Sequence, residues 1–296
     1  MTSQDYNLLV SLLKIYDQYQ CKRLVTEVLC NLYTLEDADH HAVEDAPLYT
    51  YVPGNIPVML VAHCDTVCYK PVERVGVCPS DDGKTTALTN MEQAPLGADD
   101  RAGIFLILKI VAEGYRPHIL LTLDEEIGGR GALAIADELD IIPDVKFILE
   151  LDRQGSHDAA MYDCDNVEFM AMLETYGFQP VSGTFSDICF FAPDWDIAAA
   201  NLSVGYYHEH TPWEMLVVPE MEETLKRVKQ ILDNIENFPY YKFEPLDYKT
   251  YHGYSCAYGW DFPGAYDDIN LRAEACYAAH QKEKEKKKKK GGKKKN

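Results

Sequence analysis

Five short stretches of the chain carry histidine or carboxylate side chains of the kind that bind metal ions. Four of them follow apolar segments that indicate β-strands, and one is a glycine-flanked loop at the start of a helix. In chain order they are AHCDTV (62–67), LGADDRAG (96–103), TLDEEIGG (122–129), LELDRQG (149–155) and YYHEHTPWE (206–214). Because open α/β sheets bind ligands at the carboxyl ends of their strands, we expect these stretches to meet there.

Placing the acids of these stretches close together or next to apolar segments costs free energy unless a cation neutralises their charge. The adjacent pair at 99–100 repel each other, and the three acids at 124–126 directly follow an apolar segment. Taken singly, His63 and Asp65 also fit a histidine satisfied within a core, and the pair at 99–100 also fits a helix N-terminus. Together, histidine and carboxylate ligands without cysteine suit zinc, manganese or cobalt, and their number suits two ions that share a carboxylate.

The elements that hold these stretches alternate along the chain. Hydrophobic periodicity predicts strands at 58–62, 118–123, 145–151 and 197–204, and helices at 5–18, 20–33, 102–111, 132–139, 166–176 and 219–237. Asp5 is expected near the cap of the first helix, and Asp82-Gly83 is typical of a hairpin turn. This alternation favours a three-layer α/β domain with a central mixed, largely parallel sheet.

Charge is distributed unevenly along the chain. The formal net charge is −20, from 28 basic and 48 acidic residues. Residues 282–296 hold ten lysines and two glutamates, so the rest has 18 basic and 46 acidic residues and a net charge of −28. An acidic body argues against nucleic acid as a partner, and it fits a protein that attracts cations or positive amines. The lysine tail is interpreted as a disordered, solubilising segment.

The sequence also indicates the cellular compartment of the protein. No apolar run reaches the length of a membrane span, and the N-terminus lacks the features of a signal peptide. The nine cysteines form no CxxC pair, and their odd number indicates a reducing compartment and not a disulfide framework. We therefore expect a cytoplasmic protein with no membrane partner, and the sequence leaves its oligomeric state open.

The series HxDTV, GADDRAG, DEEIGG, ELD and HTPWE resembles the motifs of the co-catalytic di-zinc exopeptidases. That clan includes bacterial leucyl aminopeptidase, the glutamyl and tetrahedral aminopeptidases, tripeptidase T and glutamate carboxypeptidases. Many members carry a second domain, but the 36 residues from His63 to Asp99 and the 58 from Asp152 to His210 leave no room for one. The resemblance is therefore strongest to single-domain zinc aminopeptidases, without an inserted lid or dimerisation domain.

The resemblance implies a role for each matching residue. The ligands of two zinc ions, with cobalt or manganese as substitutes, would be His63 and Asp152 for the first, Glu126 and His210 for the second, and Asp99 bridging both. Glu125 would take a proton from a metal-bridging water, and Asp65 would hold the ring of His63. The resemblance further implies a cis peptide bond between Asp99 and Asp100.

Two positions complicate this assignment. Cys64 lies inside the HxD motif, and strand alternation should turn its thiol away from the site. His208 and His210 would point to the same side of an extended segment, so alternation cannot choose between them. The order Thr211-Pro212 and then Glu214 resembles the closing motif of the simple aminopeptidases and favours His210 as the ligand. His208 would then contact the substrate.

Three functions stay open at this point. An aminopeptidase that acts on a peptide or aminoacyl substrate is favoured, and Asp187 would contact the amine unless it only caps a helix at 188–191. A carboxypeptidase or N-acyl amino acid deacylase would use the same ions but needs a cation for the substrate carboxylate, for which Arg101, Arg130 and Arg153 lie near motifs. The third function is non-catalytic binding.

On this interpretation the chain divides into three parts. A zinc peptidase catalytic domain is expected over 1–237, a Tyr- and Gly-rich appendage over 238–281, and the lysine-rich tail over 282–296.

Overall fold

The computed structural model describes residues 1–34, 43–79, 86–137 and 142–246. Nearly all of them belong to one compact unit, Met1–Pro245, and a second unit comprises Leu246–Asn296. The Asp82-Gly83 turn, the appendage beyond residue 246 and the lysine tail lie outside the described residues. The domain boundaries expected at 237 and 281 therefore stay predictions.

Strands and helices alternate through most of the described ranges. The strands are β1 (Glu44–Asp45), β2 (Tyr49–Val52), β3 (Ile56–His63), β4 (Val75–Pro79), β5 (Thr86–Asn90), β6 (Pro117–Thr122), β7 (Phe147–Arg153), β8 (Asp158–Met161), β9 (Gln179–Ser182), β10 (Ala199–Ser203), β11 (Tyr206–Tyr207) and β12 (Met215–Val217). The helices are α1 (Ser3–Leu13), α2 (Gln18–Thr34), α3 (Ala98–Ala112), α4 (Arg130–Ala136), α5 (Val167–Thr175), α6 (Ile188–Trp195) and α7 (Val218–Asp233), followed by a 3-10 turn at Ile235–Asn237.

The central sheet has eight strands in the order β1-β2-β6-β3-β7-β10-β8-β9. Its four middle strands, β6, β3, β7 and β10, are parallel to one another. Antiparallel pairs occur nearer the edges, between β1 and β2, β2 and β6, and β10 and β8. Because the middle strands are parallel, their carboxyl ends lie at one edge of the sheet.

Side chains of the middle strands alternate between two helical layers. On β3, Val58, Leu60 and Ala62 join a core cluster with α1, α2, α3, α5 and α7, whereas Met59 and Val61 join a second cluster with α4 and α6. This period of two follows from the pleat of a strand. The expected three-layer α/β/α architecture is therefore present, and both faces of the sheet are buried.

Helix α3 packs unusually closely on the sheet. A Cβ atom added at Gly103 would lie 2.0 Å from the carbonyl oxygen of Leu151 on β7, so only glycine fits there. This close approach fixes the start of α3, with Asp99, near the carboxyl end of β7.

Four strands form a separate antiparallel sheet in the order β11-β12-β5-β4. The antiparallel pairing of β4 with β5 agrees with the hairpin expected between them. Strand β12 pairs with both β5 and β11, so this sheet connects the segment before Asp99 with the segment that carries His210.

The first helix differs from its predicted position. It spans Ser3–Leu13, and its cap is Thr2, whose side chain accepts the N–H of Asp5 while Asp5 bonds back to Thr2. Asp5 thus lies near the cap, as expected, at the third helical position of a capping box whose hydroxyl comes from Thr2, three residues before it. Helix α4 ends at Ala136, where 139 was expected.

Candidate active site

The five motifs converge on one edge of the central sheet. His63 ends β3, Asp152 lies at the end of β7, and the acids at 124–126 follow β6, so three neighbouring parallel strands deliver them side by side. Asp99 comes from the first turn of α3, and His210 from the loop between β11 and β12. Segments far apart in sequence therefore meet as expected from strand order.

Asp99 lies between two histidines. Its Oδ1 is 2.9 Å from Nε2 of His63, and its Oδ2 is 3.0 Å from Nε2 of His210. The peptide bond between Asp99 and Asp100 is cis, as the resemblance implied. One carboxylate therefore faces two separate imidazole nitrogens with one oxygen each, as a residue that bridged two cations would.

His63 is surrounded by carboxylates and is 1 % exposed. Its Nε2 lies 3.3 Å from Oδ1 of Asp152, and its Nδ1 lies 3.3 Å from Oδ1 of Asp65. Its backbone N–H donates to Asp100 at 3.2 Å. The ring is thereby placed between Asp65 on one side and the pair formed by Asp99 and Asp152 on the other.

His210 contacts a second acid. Its Nε2 lies 2.8 Å from Oε1 of Glu126, on the opposite side of Asp99 from His63. Both His208 and His210 have positive φ, 57° and 63°, and the N–H of Thr211 bonds to the carbonyl of His208. The premise of an extended segment was therefore wrong: the chain turns here, both histidines are exposed, and the turn brings His210 to Glu126.

Asp65 has a wider task than the sequence indicated. Its Oδ1 accepts the N–H of Glu125 at 3.1 Å, and its Oδ2 accepts the N–H of Glu126 at 3.0 Å. One carboxylate thus positions the loop that carries both acids. The prediction that Cys64 turns away is confirmed, since Cys64 is fully buried in the same core cluster as Cys21 of α2.

Asp152 is held by the neighbouring strand. The side chain of Asn201 on β10 accepts the N–H of Asp152 and donates to its carbonyl, both at 3.0 Å. This replaces backbone pairing where the register of β7 and β10 shifts. The hydroxyl of Tyr206 adds bonds to the carbonyl and to Oδ1 of Asp152.

The pKa values follow from burial and crowding. Hydrogen bonds to Asp99 and Glu126 raise the pKa of His210 to about 11. Burial, with the charges of Asp152 and other acids, raises the pKa of Glu125 well above its usual value. Burial and the charge of Asp99 raise the pKa of Asp152 to about 7. Burial also raises the pKa of Asp99, but hydrogen bonds from His210 and His63 outweigh it and bring that pKa below its usual value.

The donor set fits divalent cations. In each of three groups of residues, the potential ligand atoms lie within 4.8 Å of one another. The groups are His63 with Glu125 and Glu126, His63 with Asp100 and Asp152, and Asp99 with Glu126 and His210. Nitrogen and carboxylate oxygen are the ligands that zinc takes in hydrolytic sites. Buried acids outnumber histidines here, and cations would replace the protons that the acids and histidines otherwise hold. The residues present therefore fit one or more metal ions.

Asp187 occupies a buried position close to this cluster. Its Oδ2 accepts the hydroxyl of Thr122, the residue that pairs with His63 across β6 and β3. Its Oδ1 is buried and has no hydrogen-bond partner among the described residues. Asp187 precedes α6, but its side chain makes no capping hydrogen bond. The helix-cap interpretation is thus not supported.

Of the three arginines near the motifs, Arg101 and Arg130 are engaged by other groups, and the buried Nε of Arg153 has no hydrogen-bond partner among the described residues. Arg101 is fully buried, and its guanidinium donates to the carbonyls of Ile15 and Asp65. Arg130 pairs with Asp124 at 2.8 Å, and Arg153 lies 3.7 Å from Asp158.

Glu214 is the residue that sequence reasoning undervalued. It is 1 % exposed, and its carboxylate accepts four backbone N–H groups from 96–99, the segment that leads into Asp99. The available signal was its place four residues after His210 in HTPWE. Glu150, on β7, is likewise buried, and its Oε2 has no partner among the described residues.

Comparisons with known proteins support the fold. No family model and no curated protein matches the chain. A solved aminopeptidase PepT from Bacillus cereus is 16 % identical over 78 % of this chain and 98 % of its own, with a TM-score of 0.58. A tripeptidase from Staphylococcus aureus is 14 % identical over 79 % and 98 %, with a TM-score of 0.59. A TET aminopeptidase from a marine sediment archaeon is 12 % identical over 80 % and 100 %, with a TM-score of 0.54.

At these identities the likeness establishes the fold. The expected α/β architecture with a mixed, largely parallel sheet is confirmed, and the chain shares its fold with the solved aminopeptidase and tripeptidase structures. Within the described ranges, no helix is both long and apolar enough to span a bilayer.

Proposed function

We propose that this chain is a metal-dependent peptidase that hydrolyses amide bonds, and specifically an aminopeptidase. The observation that carries the proposal is Asp99, whose two oxygens lie 2.9 and 3.0 Å from the Nε2 atoms of His63 and His210. Asp152 adds an acid on the side of His63, and Glu126 adds one on the side of His210. This arrangement suits two ions that share a ligand.

The residues that would hold the ions are those the resemblance implied. Two zinc ions, or cobalt or manganese in their place, would be held by His63 and Asp152, by Glu126 and His210, and by Asp99 between them. When bound, such ions polarise the scissile carbonyl and lower the pKa of a shared water.

Glu125 is proposed as the general base. It is nine-tenths buried, and burial raises its pKa, so its carboxyl can take a proton from water and give it to the leaving amine. Asp65 fixes the backbone of Glu125 and thereby the direction from which that proton is taken. The two adjacent acids therefore have different proposed roles, Glu125 as the base and Glu126 as a ligand.

The choice of aminopeptidase over carboxypeptidase or N-acyl amino acid deacylase is supported by charge. Those alternatives need a cation for the substrate carboxylate; Arg101 is buried against backbone carbonyls, and Arg130 pairs with Asp124. Arg153, whose buried Nε has no hydrogen-bond partner among the described residues, is the arginine that those alternatives would use. Acids dominate the site instead, which suits a free amine. We propose Asp187, with its unpartnered Oδ1, as a contact for that amine, and the exposed His208 as a contact for the substrate.

Hydrolysis assays with matched substrates test the proposal. Zinc-loaded protein is expected to cleave aminoacyl-p-nitroanilides, a chelator to abolish the activity, and added zinc or cobalt to restore it. Cleavage of acetylated amino acids alone would favour the deacylase. The absence of cleavage of either substrate class by zinc-loaded, folded protein would contradict the proposal and favour a non-catalytic role.

A cytoplasmic location belongs to the same proposal. It is supported by the cysteine pattern of the sequence, in which nine cysteines, an odd number, form no CxxC pair. The proposed partner is a peptide or aminoacyl substrate, and nucleic acid is not among the proposed partners.

A further inference from the structure

The buried carboxylate of Glu214 lies beneath the loop that leads into Asp99. Its Oε2 accepts the N–H groups of Leu96 and Gly97 at 2.9 and 3.1 Å. Its Oε1 accepts those of Ala98 and Asp99 at 2.7 and 3.2 Å. Four successive backbone donors therefore converge on one side chain from a segment more than 100 residues away.

This contact holds the segment that leads into α3. Gly97 has a φ of 73° and no side chain, and Asp99 and Asp100 lie outside helical geometry. Asp100 caps only the turn that follows it, where its Oδ1 accepts the N–H of Gly103 at 2.9 Å, so the N–H groups of 96–99 need another acceptor. The first N–H groups of a helix lack intrahelical partners and favour negative charge. Glu214 supplies both the acceptor and the charge, and only an ionised carboxylate accepts at all of its lone-pair positions without donating.

The backbone of Glu214 is held within the loop that carries His210. The N–H of Glu214 donates to the carbonyl of Thr211 at 3.1 Å, and that residue in turn donates its N–H to His208. The carbonyl of Glu214 accepts the hydroxyl of Thr89 on β5 at 3.2 Å. Glu214 is therefore fixed within the tight loop that carries His210, directly before β12 begins.

We propose that Glu214 is a positioning residue that sets the separation of Asp99 and His210, and so controls the affinity of the Asp99–Glu126–His210 group for a divalent cation. The inference rests on the proposed function, because it assigns that group to an ion. The side of His63 and Asp152 depends less on Glu214, since those residues are held by β3, β7 and Asn201.

Cobalt titration of the full-length protein tests this. After removal of bound metal with a chelator, Co²⁺ alone is added to wild type and to Glu214→Gln, and binding is followed by visible absorption and calorimetry. The amide keeps one acceptor and places two donors against the loop, so binding of one of two ions is expected to weaken roughly 10- to 100-fold. The other ion should bind within about threefold of wild type.

The matched control is Glu223→Gln on α7, which removes the same charge from an exposed ion pair with Lys226. It should leave both binding steps unchanged. If Glu214→Gln does not fold, Glu214→Asp keeps the charge but withdraws the carboxylate by one methylene group, and the same selective loss is expected.

The outcomes separate the two proposals. A folded Glu214 variant that binds two Co²⁺ ions as wild type does, or that weakens both equally, overturns the positioning role and leaves the proposed function intact. Wild type that binds no Co²⁺ overturns the proposed function and this inference with it.

Discussion

Gln18 and Asp124 are joined by two reciprocal hydrogen bonds. The side-chain amide of Gln18, at the start of α2, donates to Oδ1 of Asp124 at 2.7 Å and accepts the N–H of Asp124 at 3.1 Å. Asp124 has a φ of 61° and directly precedes Glu125. Helix α2 therefore supports the loop that carries the proposed base.

Replacement of Gln18 by alanine should loosen this loop. We expect Gln18→Ala to lower kcat about tenfold and to leave KM nearly unchanged, because a small displacement of the base slows the chemical step. Steady-state kinetics on an aminoacyl-p-nitroanilide measure both values. Gln20→Ala, at an exposed position of the same helix, is the control. Equal kcat values for the two variants would contradict the prediction.

Glu125 and Glu126 should respond differently to the same substitution. Glu125→Gln removes the proposed base, and kcat should fall about 10²–10⁴-fold while the metal content stays at the wild-type level. Glu126→Gln removes a ligand that contacts His210 and should lose one ion per chain. Kinetics combined with metal analysis distinguish them. Near-normal kcat in Glu125→Gln would refute the assignment of the base.

The two histidines of the turning loop offer a paired test. His210→Ala should lose one bound metal ion per chain, because its Nε2 contacts both Asp99 and Glu126. His208→Ala should keep the wild-type metal content, because His208 belongs to no group of ligand atoms among the described residues. Metal analysis of the purified variants is sufficient. The reverse pattern would assign the second ion to His208.

Asp5 should make stability depend on acid. Hydrogen bonds from Lys109 and Thr2 lower the pKa of Asp5 to about 2, whereas an unfolded aspartate has a pKa near 3.9. A depressed carboxyl pKa stabilises the fold above about pH 4, and this contribution disappears as the pH falls toward 2.

Asp5→Asn should therefore lower the free energy of unfolding by about 1–2 kcal/mol at neutral pH. The difference from wild type should shrink as the pH drops below 4. Urea unfolding at several pH values measures it, with Glu27→Gln at an exposed position of α2 as the control. A difference that grows on acidification would show that the sign is wrong.

The residues on strands were the predictable part of the site. His63 and Asp152 follow short apolar runs, and parallel order places the ends of such strands together. The resemblance implied that Asp99, Glu126 and His210 share an ion, and the structure places these three side chains close together. The placement of the strand residues could be predicted because it depends on one element and on a rule that applies to every open α/β sheet.

The remaining features depend on contacts between distant segments. The sequence near Glu214 contains nothing to show that its four partners are at 96–99, since a turn and two strand pairings bring them together. The burial of Arg101 against Ile15 has the same origin. The positive φ of His208 and His210 could not be predicted either, because histidine does not require it.

The scatter of the ligands between residues 63 and 210 has a thermodynamic consequence. In the unfolded chain those side chains share no common point, so an ion that binds all of them binds only the folded state. Such an ion stabilises the fold by RT ln(1 + [ion]/Kd), about 2.7 kcal/mol at one hundred times Kd. On the proposed assignment, the midpoint of thermal unfolding would report the concentration of the free ion, and depletion of the ion would expose the chain to proteolysis as well as abolish its activity.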